Sequence, residues 1–242
     1  MKEILKKYRN LIRCHYNYAF NKTVLLVILI VIILSIAYNF SILSSLKLEG
    51  NDYVLYKYYF DAFFSLVLFF ANILIMTIIS FSFLKKQDQY CVLLLTSDIA
   101  KGQIFLSKYF TIILFLLLFL VTEIIAFYVP AVFTDKLKYI NVEVLISFFD
   151  LFLVMIFYGN VSLLIILIFD NFYSVIVPLS LFLFSYNSSN SQSDIFIKYI
   201  ISFNSKNWRL NQKYGFVIMI NMLLIFLSFK IYLKNECWFL FI

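Results

Sequence analysis

Val24-Leu-Leu-Val-Ile-Leu-Ile-Val-Ile-Ile-Leu34 decides the fold. A strand of a membrane barrel alternates lipid-facing and lumen-facing residues over roughly 10 positions, and this run does not alternate. An α-helix satisfies its backbone hydrogen bonds within the segment, which hydrocarbon demands of anything crossing it. Similar apolar runs recur from Thr23 to Leu43, Ala62 to Leu84, Tyr109 to Phe133, Val144 to Phe169, Phe172 to Tyr186 and Tyr214 to Leu233. About 20 apolar residues cross a hydrocarbon core of about 30 Å. The expectation is an all-α integral membrane protein with six transmembrane helices.

Composition agrees. The 242 residues are 64% hydrophobic and 21% aromatic, with a mean hydropathy of +0.95. Soluble domains are only about 45 to 50% apolar. No soluble domain or internal repeat interrupts the runs, so residues 1 to 242 read as one membrane domain.

The net charge of +7 is explained by topology without nucleic acid. With the N-terminus in the cytoplasm, the inner side holds Lys2, Lys6, Lys7, Arg9, Arg13, Lys22, Lys85, Lys86, Lys101, Lys108, Lys230 and Lys234. The outer side holds Lys47, Lys57, Lys136, Lys138, Lys198, Lys206, Arg209 and Lys213, and its first loop offsets two of these with Glu49, Asp52 and Asp61. The positive-inside bias places both termini in the cytoplasm. Richness in Ile, Phe, Asn, Lys and Tyr points to an AT-rich bacterial genome and hence the bacterial plasma membrane.

The first 22 residues form no signal peptide, because they lack an apolar stretch of their own. They put Ile4, Tyr8, Leu11, Ile12, His15 and Ala19 on one helical face and Lys2, Lys6, Arg9, Arg13 and Asn17 away from it. That pattern predicts an interfacial amphipathic helix, its basic side chains against anionic headgroups. His15 beside Cys14 gives only two ligands, short of the four of a structural zinc site. Cys14, Cys91 and Cys237 are widely spaced and read as free thiols.

Ser44 to Asp61 reads as an outer loop, its Tyr53, Tyr56, Tyr58 and Tyr59 suited to the headgroup zone. Asp170-Asn171 implies a tight inner hairpin between the fourth and fifth spans, and Pro178 a kink in the fifth. Ile195 to Phe203 is too short to span and reads as a re-entrant or surface helix before the last span.

The main polar interruption runs from Lys85 to Lys108. Gln87 to Leu95 predicts a short cytoplasmic helix presenting Tyr90, Val92, Leu93, Leu94 and Leu95. Ser97 and Asp98 then start the helix that continues into the third span, as N-cap and first-turn acid. Apolar side chains facing the cytoplasm need a cover, which a protein partner supplies.

This loop resembles that of the permease subunits of ABC-2-type transporters, which reads Leu-Leu-x-x-Pro-x-Ser-Arg with a lysine ten residues after the proline. Here Leu94-Leu95-Thr96-Ser97-Asp98-Ile99-Ala100-Lys101 takes that place, with Lys108 at the lysine. Asp98 replaces the proline, Ala100 the serine and Lys101 the arginine. Proline and aspartate both open helices, by different physics.

The resemblance implies half of an exporter. Two permeases pair, as homodimer or heterodimer, and each docks a separate ABC ATPase subunit that carries ATP and Mg. Tyr90, Leu93, Leu94, Asp98 and Lys101 would couple to that ATPase. The expected cargo is a hydrophobic or amphipathic peptide, lipid or drug moved outward; exporters of phenol-soluble modulins or lantibiotics are the nearest analogy.

No cofactor is expected on this chain: none of Gly50, Gly102, Gly159 and Gly215 builds a P-loop. An enzyme is not expected either, since one histidine cannot supply His-Glu-x-x-His and the glycines of a serine elbow are missing. The alternative is a membrane immunity or sensor protein that binds an antimicrobial peptide without an ATPase. Glu123 and Asp150 are the intramembrane carboxylates, accompanied by Asn72, Asn160 and Asn221. Such groups must face protein or a water-filled cavity, so Glu123, Asp150, Asn72 and Asn221 are candidates for a substrate pathway.

Overall fold

The computed structural model describes Ile12 and residues 22–45, 52–83, 101–133, 142–170, 176–188 and 210–234. The described residues are almost entirely helical: α1 (Lys22–Ser45), α2 (Asp52–Phe83), α3 (Lys101–Phe133), α4 (Val142–Phe169), α5 (Ile176–Ser188) and α6 (Leu210–Lys234). Three helical stretches among the described residues, Lys101–Phe133, Ile146–Phe169 and Tyr214–Lys234, are long and apolar enough to cross a membrane.

Burial makes the same point independently. On α3 the exposed face carries Leu114, Leu117, Leu118, Val121 and Ile125, while the buried face carries Ile112, Phe115, Leu116 and Phe119 together with the carboxylate Glu123. Met219, Met222, Leu223 and Phe226 are exposed on α6, where Asn221 and Ser228 are buried. A soluble helix sorts polar outward and apolar inward; one that is apolar all round belongs in lipid. This is a membrane protein.

The helix bounds extend the expected runs furthest at the starts of α2 and α3. α1 runs to Ser45 and α2 begins at Asp52, so two thirds of the Ser44 to Asp61 stretch, expected as a loop, is helical. No glycine or proline lies between Asp52 and Phe83 to stop it, and the helix-breaking glycine of that region, Gly50, precedes it. α3 is helical from Lys101, eight residues before the expected run at Tyr109, and the expected helix start at Ser97 and Asp98 lies outside the described residues. Pro178 is the third described residue of α5, and residues 171–175 before it lie outside the described residues. The loop helix from Gln87 to Leu95, the segment Ile195 to Phe203 and all of the N-terminal segment except Ile12 lie outside the described residues.

The end of α4 is set by one residue. Asp170 adopts φ 48°, and its N–H donates to the Ile166 carbonyl at 2.7 Å. That bond has the pattern of an αL cap, a position that glycine usually fills. Aspartate is among the few other residues that visit this region readily.

Two compact units draw on the described helices. The first takes residues from Met1–Ala19, Asn72–Ile113 and Leu153–Ile242; the second takes them from Phe20–Ala71 and Leu114–Phe152. In the first, Phe105 of α3 packs against Phe83 of α2 and Phe229 and Tyr232 of α6, with ring centroids 5.5, 5.3 and 5.3 Å away. Gly159 of α4 faces Ile75 and Ile79 of α2 so closely that an added Cβ would stand 2.8 Å from Ile79 Cδ1. Small residues allow such approach between membrane helices. In the second unit, Phe63 and Phe64 of α2, Phe127 of α3 and Phe148 of α4 form an aromatic cluster, with centroids 5.1 Å apart for Phe63 and Phe127 and 4.8 Å for Phe64 and Phe148.

The αL cap gives a direct test. Asp170→Gly should leave the thermal midpoint of the detergent-solubilised protein unchanged or raised. Asp170→Val should lower stability by about 1 to 2 kcal/mol, because a β-branched side chain clashes in that conformation.

Candidate functional site

Polar side chains inside these helices fall into two classes by how they are satisfied. Several hydroxyls bond their own helix: Thr77 donates to the Ile73 carbonyl, Ser82 to Ile78, Thr111 to Ser107 and Thr122 to Phe119, all at 2.7 to 2.8 Å, whereas that of Ser35 reaches another helix. A short side chain reaches back one turn and needs no neighbour. Amide, phenol and carboxyl groups reach further and bond across helices. The candidate sites are built from this second class.

In the first unit, the Tyr109 hydroxyl of α3 donates to Asn160 Oδ1 of α4 at 2.9 Å. Asn160 Nδ2 donates in turn to Asn221 Oδ1 of α6 at 2.9 Å, and Asn221 Nδ2 closes on its own Val217 carbonyl at 3.1 Å. Three helices are tied by one chain of donors and acceptors. Asn72 of α2 is also fully buried in this unit. Lys108 is buried too, with Nζ 5.3 Å from the centroid of the Phe83 ring. A desolvated ammonium over an aromatic face is stabilised by the ring quadrupole. Ile12, from the apolar face expected of the N-terminal segment, lines an apolar cleft of about 420 Å3 with Leu106, Ser107, Tyr109, Phe110 and Ile113.

In the second unit, Asn39 Nδ2 of α1 donates to the Ala126 carbonyl of α3 at 2.8 Å and lies 3.2 Å from the Phe127 carbonyl. The cause lies one turn further on. Pro130 stands inside α3, and it has no N–H to offer the carbonyl four residues earlier, which is that of Ala126. Asn39 supplies the missing donor from the neighbouring helix. One turn towards the start of α3, Ser35 Oγ donates to Glu123 Oε1 at 3.4 Å. Glu123 is completely buried, and Asp150 of α4 is nearly so.

The expected pathway residues are therefore all buried, with Asn72 and Asn221 in the first unit and Glu123 and Asp150 in the second. Asn221 is joined to Asn160, the other intramembrane asparagine noted in the sequence. Of the expected coupling residues, Lys101 opens α3 and is half-buried; Tyr90, Leu93, Leu94 and Asp98 lie outside the described residues. Sequence reading missed Ser35, Asn39 and Tyr109. For Asn39 a signal existed: a proline inside an apolar run leaves an acceptor unpaired four residues back, and a lone asparagine in another run is a natural donor.

The Asn39 contact predicts a coupling between two substitutions. Asn39→Ala should cost about 1 kcal/mol, within the range measured for hydrogen bonds between membrane helices. Pro130→Ala restores the backbone N–H to Ala126, so Asn39→Ala should cost less in that background. A double-mutant cycle of unfolding in micelles measures the difference.

Comparison of the chain with protein-family models, with curated proteins and with solved structures found no match in any of the three.

Proposed function

We propose that this chain is the membrane-spanning permease subunit of an ATP-driven exporter of the ABC-2 type. It moves a hydrophobic or amphipathic substrate outward with energy from a separate ATPase. The observation that carries the reading is the polar stretch from Lys85 to Lys108, which joins two long helices of a membrane protein and whose last eight residues, Lys101 to Lys108, already belong to α3. α2 ends at Phe83 and α3 is already helical at Lys101. The intervening residues, with Leu93-Leu94-Leu95 ahead of the Ser97-Asp98 helix start, have the composition of a short apolar helix that a soluble protein covers.

On this reading the chain crosses a bacterial plasma membrane six times, with both termini in the cytoplasm and the Lys85 to Lys108 loop on the same side. α1 and α2 supply two spans beyond the three long apolar stretches: 24 and 32 helical residues rise about 36 and about 48 Å. α5 is short at 13 described residues. Tyr90, Leu93, Leu94 and Asp98 enter the ATPase. Lys101 and Lys108 then pass its motion to α3, where Lys108 sits beside Phe83 at the end of α2. A second permease subunit completes the transporter.

The test is an affinity pull-down of the tagged chain in mild detergent, with and without a paired Leu93→Asp and Leu94→Asp change, followed by an ATPase assay. A copurifying nucleotide-binding subunit that the paired change releases is the expected result. Recovery of stable chain with no ATPase would overturn the proposal in favour of a peptide-binding immunity or sensor protein. The orientation has its own readout in native cysteines: Cys14 and Cys237 should react with a membrane-impermeant maleimide only in inside-out vesicles.

A further inference from the structure

Among the described residues, the buried side-chain atoms without a hydrogen-bond partner belong to Asn72, Glu123, Ser162, Tyr214 and Ser228, and Glu123 supplies the carboxyl oxygen of that set. It is wholly buried on α3, and the hydrogen bond it accepts from Ser35 Oγ is long at 3.4 Å for a hydroxyl donor. Its second oxygen, Oε2, is buried and has no hydrogen-bond partner among the described residues. An ionised carboxylate offers acceptor sites for about four hydrogen bonds, and here one weak donor faces it.

Nothing in the described surroundings balances a negative charge. The described side chains of the second unit include no lysine, arginine or histidine. Its other titratable side chains are Tyr38 on α1, Tyr128 on α3 itself and Asp150 on α4, and none of them hydrogen-bonds Glu123 among the described residues. The remaining neighbours that α1 brings to this stretch of α3 are neutral: Ser35, and Asn39, whose amide is committed to the Ala126 carbonyl. α2 and α4 contribute to this unit the phenylalanine cluster around Phe127. No group of three possible metal ligands exists among the described residues. A lone buried charge takes up or gives up a proton before it persists in hydrocarbon.

We propose that Glu123 is an intramembrane proton-binding site, occupied at neutral pH by a proton on Oε2. The proton is the ligand that needs neither a cavity nor additional coordinating groups. Binding it removes the negative charge that burial opposes, while Oε1 remains the carbonyl oxygen to which Ser35 donates. Any conformational step that admits water to this stretch of α3 then lets the proton leave, and closing requires one to return. The inference does not rest on the transporter reading and holds equally for a peptide-binding membrane protein.

Infrared spectroscopy of the full-length protein in lipid vesicles at neutral pH tests it. The spectrum should contain the C=O stretch of an undissociated carboxylic acid. Glu123→Gln should remove that band, Asp150→Asn should leave it, and Ser35→Ala should shift its frequency because the hydrogen bond to Oε1 is gone. Absence of the band, or its loss in Asp150→Asn alone, would overturn the proposal, as would a carboxylate band assigned to Glu123 through the Gln variant. A measurement on unaltered protein covers the case in which Glu123→Gln fails to fold. Dicyclohexylcarbodiimide adds to undissociated carboxyls in apolar surroundings, so an adduct on the peptide carrying Glu123 supports the site and an unmodified peptide overturns it.

Discussion

Hydrocarbon offers no hydrogen bonds, and the interior chemistry of this protein follows from that constraint. Water would satisfy a stray donor or acceptor on a soluble helix; inside a bilayer each one must find a partner in the protein or change its own state. The described helices show three answers graded by side-chain reach. Thr77, Ser82, Thr111 and Thr122 turn back onto their own carbonyls. Asparagine and tyrosine cross to the next helix, as Tyr109, Asn160 and Asn221 do. Glu123, with one long contact to Ser35, is left with an oxygen to satisfy by other means.

Asn39 and Asn160 look alike in sequence, each a single asparagine in an apolar run, yet they perform different tasks. Asn160 joins side chain to side chain and would be replaceable by any pair of groups that pack well. Asn39 bonds backbone and compensates a defect that the sequence of another helix created at Pro130. The defect and its remedy form one unit. A proline within a span is tolerated when a neighbouring helix satisfies the carbonyl it frees, and here α1 is tied to α3 by that requirement, since apolar contact alone does not distinguish a helix from lipid.

Much of this was legible in the chain. The unbroken apolar runs gave helices and a membrane, and the absence of helix breakers accounts even for the early start of α2 at Asp52. The rule that intramembrane polar groups turn inward placed Glu123, Asp150, Asn72 and Asn221 correctly as buried. What the sequence withheld is pairing. In a soluble helix the apolar stripe marks the packed face, but here Leu117 looks to lipid and Leu116 to protein with nothing in their chemistry to separate them. With both faces apolar, hydrophobic periodicity loses its power to orient a helix, and the partner of any buried polar group must be inferred from the few other polar groups available.

That scarcity also explains why Lys108 is informative. A lysine near the end of a membrane helix normally extends its ammonium to the headgroups. Lys108 instead is buried, its Nζ over Phe83 beside the rings of Phe105 and Tyr232. Held there, it links the start of α3 to the end of α2, the two helix termini that bracket the polar stretch from Lys85. A force applied to that stretch therefore meets a packed junction of aromatic rings and one desolvated cation, and not two independent helix ends. On the export function proposed above, such a junction would transmit displacement, because close-packed interiors shift between discrete arrangements instead of deforming continuously.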